Sequence, residues 1–392
     1  MKVLILHQHF NIPGEGGAVR SYYLAKALAD RGIAVAVITG YGGSKYEVRY
    51  VEGIEVHYLP IGYNNRFGFY KRSFSFLQYV KGALRVALRL PGITVCYAIS
   101  VPLTVGLAAI WLKSRKRLPF IFEVGDLWPD APIQLGFIKN YFFRSALYSL
   151  ERTIYRQAQS VVALSPMIRE AIERKVPGKR IDLIPNMSDT TFYKPGLKDS
   201  ALEQKFDVAG KFVVSYIGAV GFANGLDYYL ECARHCQKAG APIQFLLCGD
   251  GAMRAHLKGV AEKLALQNLT FIDFQNRDGV REVMNVTDAV FICYRPAPIL
   301  QTGSPNKYFD GLAAGKLIIV NFGGWIKDEI ETQACGVYTD ARNPAGIVSL
   351  LQPFVSDRLL LAEYGQRSRK LAETRYSREL LGDAFADLFK AR

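Results

Sequence analysis

Short apolar segments alternate along this chain with longer segments in which apolar residues recur at helical spacing. A buried parallel strand is a nearly continuous apolar run, whereas a helix that covers a sheet is apolar on one side only. The alternation therefore predicts an α/β protein with parallel sheets. We expect strands at residues 2–6, 33–39, 54–58, 94–99, 120–124, 160–163 and 181–184, and again at 212–217, 243–248, 269–272, 289–293 and 317–320.

These strands fall into two series, separated by a stretch near 186–211 that contains Pro195 and Gly196. A chain of 392 residues is long enough for two hydrophobic cores. We predict two Rossmann-like, doubly wound domains, at 1–190 and 191–375, that face each other across a central cleft. Ligands of such folds bind at the carboxyl ends of the strands, so the cleft is the expected functional site.

The loop after the first strand contains Gly16 and Gly17, and Arg20 begins the helix that follows. This order differs from the GxGxxG fingerprint of dinucleotide-binding proteins, which argues against a dehydrogenase. The six cysteines form no CxxC pair. We therefore interpret them as reduced thiols and predict no metal site.

The net charge of +14 is concentrated in residues 1–195, which have 26 Lys and Arg against 13 Asp and Glu. Basic and aromatic residues are interleaved at 66–89, and the segments 113–117 and 139–156 extend the pattern. Such a surface suits an anionic membrane, with rings at the headgroup level. The alternative is that the rings belong to the core and the basic residues form a solvated face. Nucleic acid would also explain the charge, but the chain has no helix-turn-helix, zinc or RNA-binding signature.

The segment 90–112 is uncharged and long enough to span a bilayer. Pro91, Gly92, Pro102 and Gly106 interrupt it and argue against one continuous helix. We expect a strand and a buried helix here, and peripheral rather than transmembrane attachment.

The segment 301–320 has a lysine at a position that helices disfavour. Ser304 is the predicted N-cap and Pro305 the first helical residue, so Lys307 lies in the first turn. The macrodipole makes that turn electropositive, and its free N–H groups favour an anion. We prefer a lysine beside a bound phosphate to one that extends into solvent. Asp310 shares the helix face of Lys307 and can accept hydrogen bonds from a sugar.

This segment resembles the donor-site helix of the family 4 glycosyltransferases, which have the GT-B fold. It is most similar to a bacterial branch that resembles the N-acetyl-fucosaminyl transferases of O-antigen and capsule assembly. Thr302 stands where the family has a first glutamate, and Asp310 falls on the second. The resemblance implies that the final helix, 376–392, packs back on the first domain. It also implies a nucleotide-sugar donor site that includes Gly303, Ser304, Asn306, Lys307 and Asp310.

Loops at other strand ends complete the expected site. Asp126 follows a buried strand and can stabilise positive charge on a sugar ring, although it can instead cap the next helix. Most family members have an arginine or lysine in the first loop of the second domain, but this chain has none between Ser215 and Cys232. The remaining donor-binding candidates are Gly17, Gly218, Gly221, Asn224 and Asn276, and the acceptor-binding candidates are Gly16 and Arg20.

The resemblance implies a retaining glycosyltransferase with Asp126 and Lys307 in catalysis. We expect a UDP-sugar donor, favoured over a GDP-sugar, with no metal and no cofactor. The expected acceptor is a lipid-linked glycan, carried by undecaprenyl diphosphate, and the expected location is cytoplasmic, on the inner face of the membrane. Two alternatives remain: a nucleotide-sugar 2-epimerase on the same fold, and a non-catalytic adaptor for membranes or polyanions.

Overall fold

The first half of the chain forms an eight-stranded sheet. The computed structural model describes residues 1–15, 19–62 and 69–390. The strands of this sheet are β1 Lys2–Leu6, β2 Ala34–Tyr41, β3 Glu47–Val51, β4 Ile54–Pro60, β5 Val95–Ile99, β6 Phe120–Val124, β7 Ser160–Ala163 and β8 Ile181–Leu183. Their order is β3-β4-β2-β1-β5-β6-β7-β8, and all pairs are parallel except β3 with β4.

A second sheet of six strands follows in the other half. Its members are β9 Phe212–Ile217, β10 Ile243–Cys248, β11 Leu269–Ile272, β12 Ala289–Ile292, β13 Leu317–Val320 and β14 Gly336–Tyr338. All pair in parallel, in the order β11-β10-β9-β12-β13-β14. Each half is therefore a Rossmann-like sheet, and the predicted α/β class with two such sheets is confirmed.

Helices connect the strands as the right-handed crossovers of parallel sheets require. In the first half they are α1 Arg20–Ala29, α2 Phe69–Arg89, α3 Val105–Lys116, α4 Asp130–Gln134, α5 Tyr141–Gln157 and α6 Pro166–Lys175. In the second half they are α7 Ser200–Lys205, α8 Asp227–Lys238, α9 Arg254–Lys263, α10 Arg277–Val286, α11 Asn306–Ala313, α12 Trp325–Thr332, α13 Ile347–Ser356, α14 Arg358–Leu371 and α15 Arg378–Asp387. Short 3₁₀ segments include Phe222–Asn224 and Pro298–Thr302.

The last helix, α15, lies against the first half of the chain. The ring centroid of Phe385 is 4.8 Å from that of Tyr97 on β5, and Asp383 pairs with Arg31 beyond α1. The preceding π-helical turn, Ala372–Tyr376, packs the Tyr376 ring 5.1 Å from Phe309 of α11. One apolar core therefore contains side chains of both halves. This packing holds the carboxyl ends of the two sheets near each other.

Two strands were not predicted, and each lacks the apolar run of a buried strand. Strand β3 is an antiparallel edge whose residues are almost all exposed, and β14 has only three residues. The uncharged segment 90–112 is divided between β5 and α3, as expected from its prolines and glycines. No single helix among the described residues is long and apolar enough to cross a membrane. One bent pair, Pro344–Ser356 with Arg358–Tyr376, passes that test by length and composition.

Candidate functional site

Helix α11 begins one residue later than the sequence predicts. Pro305, with extended backbone, occupies the N-cap position, and Asn306 is the first helical residue and is exposed. The prediction of Ser304 as the N-cap is therefore wrong. Ser304 is buried, and its hydroxyl accepts a hydrogen bond from the Asn186 N–H at 3.4 Å. Lys307 still lies in the first turn, where the free N–H groups and the macrodipole favour an anion.

The Lys307 ammonium has no carboxylate partner in the part of the chain that the structure describes. Its Nζ donates to the Tyr216 hydroxyl at 2.8 Å and lies 3.9 Å from the centroid of that ring. Burial lowers the pKa of Lys307 to about 7. A cation surrounded by neutral groups at the positive end of a helix is electrostatically unfavourable. A bound phosphate would supply the negative charge that these surroundings lack.

The loop at 218–225, which we call the donor loop, lies directly beside Lys307. Gly218 has φ +141°, and a Cβ there would stand 3.3 Å from the Lys307 Nζ, so a side chain would crowd the ammonium. Asn224 stabilises the loop, because its Oδ1 accepts from the Gly221 N–H at 3.1 Å. Gly303 lies on the other side of α11's first turn, and its carbonyl accepts from the Trp325 indole at 2.9 Å.

A cation that the sequence argument missed packs on the donor loop. Arg295 follows β12, and its N–H donates to the Ala223 carbonyl at 2.9 Å. Its guanidinium carbon lies 3.8 Å from the centroid of the Phe222 ring. Gly225 (φ +57°) leaves room for this contact, since a Cβ there would come within 2.9 Å of the Arg295 side chain. Among the described residues no acid pairs with Arg295, so it can supply the positive charge that the loop itself lacks.

Asp310 and Asn276 lie on neighbouring helices at the same edge of the second sheet. Burial raises the pKa of Asp310 to about 7, and the nearby charge of Arg277 opposes this shift. Asn276 is the N-cap of α10, and its Oδ1 accepts from the Gly279 N–H at 2.9 Å. The Asn276 side-chain oxygen is therefore used within the helix, and the side-chain NH₂ group remains for a ligand.

Asp126 projects from the loop after β6 and is exposed to solvent in the cleft. It is not a helix cap, because the N-cap of α4 is Pro129 and makes no side-chain capping bond. Burial raises the pKa of Tyr294, the second residue after β12, and the negative charge of Asp126 contributes to this shift. Asp126 thus faces the second half, near the residues that border the donor loop.

Arg20 occupies a different position from the one expected of an acceptor contact. Its guanidinium donates to the Glu123 carboxylate at 2.9 Å and to the Ile184 carbonyl at 2.8 Å, and it also contacts the Pro185 carbonyl. The Arg20 and Glu123 side chains are 9% and 2% exposed. The prediction for Arg20 is therefore corrected: this is a buried ion pair that joins α1 to β6. Gly16 and Gly17 lie outside the described residues.

An aromatic contact joins the two halves close to the donor loop. The Phe137 ring, from the segment after α4, meets the Phe222 ring edge to face, with centroids 6.3 Å apart. Both rings are partly accessible, at 63% and 44%. The Arg295 guanidinium also packs on Phe222, so the donor loop itself makes this contact with the first half.

Two family models match this chain. Residues 15–187 match the glycosyl transferase 4-like domain, and residues 199–371 match the glycosyl transferases group 1. The chain belongs to the family 4 glycosyltransferases. Together the two models cover every strand of the two sheets except β1, and most of the candidate site.

Curated proteins that are distantly related to this chain are also named as sugar transferases. An α-D-kanosaminyltransferase of Streptomyces kanamyceticus is 19% identical over 61% of this chain and 62% of its own length. The colanic acid biosynthesis glycosyl transferase WcaI of Escherichia coli, a putative assignment in its own description, is 23% identical over 50% of this chain and 49% of its length. The chain thus spans about half to three-fifths of the curated relatives it matches.

Solved structures agree in fold over nearly the full chain. Sucrose-phosphate synthase from Thermosynechococcus elongatus superposes with a TM-score of 0.79 at 14% identity, covering 99% of this chain and 98% of that one. HepE from Anabaena, solved in complex with UDP-glucose, gives a TM-score of 0.73 at 18% identity, covering 99% of each chain. At these identities the likeness establishes the GT-B fold.

Proposed function

We propose that this protein is a retaining glycosyltransferase that moves a sugar from a UDP-linked donor to a membrane-associated glycan acceptor in surface polysaccharide biosynthesis. The transferred sugar is an N-acetylhexosamine or a deoxy derivative, and the acceptor is linked to undecaprenyl diphosphate. The observation that carries the proposal is Lys307, a partly buried ammonium at a helix N-terminus beside a glycine-rich loop, with no carboxylate partner among the described residues. A nucleotide diphosphate supplies the charge that this arrangement lacks.

The donor's diphosphate lies between the first turn of α11 and the donor loop, where Lys307 and Arg295 neutralise it. The bond from the anomeric carbon to the diphosphate oxygen breaks, and the diphosphate leaves with the electron pair. The acceptor oxygen bonds to the same face of that carbon, and its proton passes to the departing phosphate. Asp126 stabilises the positive charge that develops on the sugar ring. Asp310 binds the donor ribose, and Gly303, Ser304, Asn306 and Asn276 border the nucleotide.

UDP is the favoured nucleotide because a structural neighbour with the same fold was solved with UDP-glucose bound. Thermal unfolding with UDP or GDP, each near 1 mM, tests the donor site. A ligand at about 100 times its Kd stabilises a fold by roughly 2.7 kcal/mol. A shift with UDP that disappears in Lys307→Ala supports the enzyme. No shift with either nucleotide favours the adaptor alternative, and interconversion of the donor sugar without transfer favours the epimerase.

Peripheral membrane attachment rests on exposed apolar side chains within basic helices of the first half. Phe74 and Leu77 on α2 are 62% and 58% exposed, and Tyr141 and Phe142 on α5 are 75% and 81% exposed. Other rings of α2, such as Tyr79, are core residues, so the alternative interpretation holds for part of the segment 66–89. Residues 63–68 of the aromatic stretch lie outside the described residues.

Flotation with vesicles that contain anionic lipid tests this attachment. Phe142→Ser should weaken vesicle binding, because it removes an exposed ring from the basic surface at the start of α5. Leu359→Ser is the matched control, since Leu359 is 79% exposed but lies in the second half. Equal vesicle binding by both variants and the unmodified chain would exclude this surface as the membrane-binding surface. Such a protein would act away from the inner face of the cytoplasmic membrane.

A further inference from the structure

A cavity of about 690 Å³ lies between the first half of the chain and the 3₁₀ segment that precedes α11. Helices α4, α5 and α6 form three of its walls, and Pro298, Ile299 and Thr302 form the fourth. None of the residues assigned to the donor site lines it. We call it the arginine cavity, after Arg152, Arg156 and Arg174 on its lining.

These three arginines have no ion-pair or hydrogen-bond partner for their side chains within the described ranges. Arg152 and Arg156 are one turn apart on α5, and Arg174 faces them from α6, so their charges converge on one space. The neighbouring Lys175 is different, because it is already paired with Asp130 and with Glu151 at 2.6 Å. Glu170 is also on the lining and can neutralise at most one of the three. The three arginines are exposed to solvent, and the lining has four basic side chains against two acidic ones, so positive charge is available to a ligand.

One end of the cavity lies next to the proposed reaction centre. Leu127 lines it and directly follows Asp126, and Thr302 lines it and directly precedes Gly303. At its other end, α5 leads to the exposed rings of Tyr141 and Phe142. Arg152 lies eleven residues beyond Tyr141, which is roughly 16 Å along a helix. A ligand can thus extend from the membrane-facing tip, through the arginines, to the carboxylate at the cleft.

We propose that the arginine cavity binds the phosphate or diphosphate group of the acceptor. This inference rests on the proposed function, since it identifies the anionic part of that enzyme's second substrate. Arginine binds phosphate oxygens in pairs through its planar fork of donors, and several converging arginines favour a doubly charged group. The position beside Asp126 places the phosphate near the hydroxyl that accepts the sugar. The acceptor is therefore a short glycan still attached to its phosphate.

Titration of the full chain with farnesyl diphosphate and with inorganic pyrophosphate tests this proposal. Saturating UDP is present throughout, so that the donor site is occupied. We expect both probes to bind, and the triple variant R152Q/R156Q/R174Q to weaken the Kd of each at least about tenfold. Arg169→Gln is the matched control: it removes a charge from α6 at an exposed position that does not line the cavity. Its Kd values should equal those of the unmodified chain.

Three results separate the possible failures. If UDP still raises the Tm of the triple variant, that variant is folded. Unchanged pyrophosphate binding by the folded variant overturns the cavity assignment. Loss of binding to phosphatidylglycerol vesicles alone, with pyrophosphate binding intact, also overturns it and makes the arginines part of the lipid-facing surface. Arginine-dependent pyrophosphate binding without any UDP shift supports the phosphate site and refutes the proposed donor site instead.

Discussion

Replacing Lys307 by methionine should make the ligand-free protein more stable while it abolishes donor binding. Methionine keeps the length of the side chain and removes its charge. Burial lowers the pKa of Lys307 from 10.5 to about 7, which corresponds to about 5 kcal/mol of unfavourable interaction with the charged form. Part of this is offset, because the contact with Tyr216 is lost and is worth about 1–2 kcal/mol. We expect a net gain of about 3–4 kcal/mol in the free energy of unfolding.

The size of this gain depends on pH in a defined direction. The folded-state pKa of Lys307 lies below its unfolded value, so the cost of burial is complete below pH 7 and disappears as the pH rises towards 10.5. The advantage of the methionine variant should therefore be largest at pH 7 and below. UDP needs the charged lysine, so its affinity for the unmodified chain should fall by up to about tenfold for each pH unit above 7. The variant should show no such dependence.

Differential scanning fluorimetry with and without UDP measures both effects. For a chain of this length 3–4 kcal/mol corresponds to a rise of about 4 °C in Tm. Lys316→Met is the matched control: Lys316 follows the same helix, and burial lowers its pKa to about 8, but it lies beyond the far end of α11 from the donor loop. That variant should keep the UDP shift. A Lys307→Met protein with unchanged Tm and an undiminished UDP shift would refute the reasoning.

Three further substitutions test single residues. Asp126→Asn should slow sugar transfer at least about 100-fold and leave the UDP shift unchanged, and full activity would remove Asp126 from catalysis. Arg295→Gln should weaken UDP binding about tenfold by calorimetry, because it removes the cation on the donor loop. Unaltered affinity would mean that Lys307 neutralises the diphosphate alone. Arg20→Met should destabilise the protein by about 3–5 kcal/mol in urea unfolding, since it leaves the Glu123 carboxylate buried and unpaired. A stable variant would contradict the structural role of that pair.

The regular elements could be predicted wherever burial imposes a pattern on the sequence. Strands such as β12 and β13 are buried on both faces, so each is a continuous apolar run with clear limits. Strand β3 is exposed at an edge, and its polar residues give no such signal. The start of α11 was misplaced by one residue because Ser304 and Pro305 fit two capping arrangements. Tertiary hydrogen bonding by Asn186 selects between them.

Candidate site residues could likewise be predicted where the relation between them is local in sequence, and not where it is long-range. Lys307 and Asp310 could be proposed as a pair from the sequence because one helix turn brings residues three apart to one face, which is a local relation. Arg20 looked equally suitable in sequence, yet its charge is consumed by Glu123, a residue 103 positions away. Arg295 was missed for the opposite reason. It lies 70 residues after Gly225 in sequence but packs on that glycine in the fold.

The sequence by itself determined the two α/β halves, the lysine at a helix N-terminus and the excess of positive charge in the first half. Each follows from local periodicity or from composition, which need no knowledge of long-range contacts. Only the tertiary structure decided which charges are free to bind a ligand. Pairing of a charge depends on partners that are distant in the chain. Such partners neutralise Arg20 and Lys175, whereas Lys307, Arg295 and the three arginines of the cavity form no ion pair within the part of the chain that the structure describes.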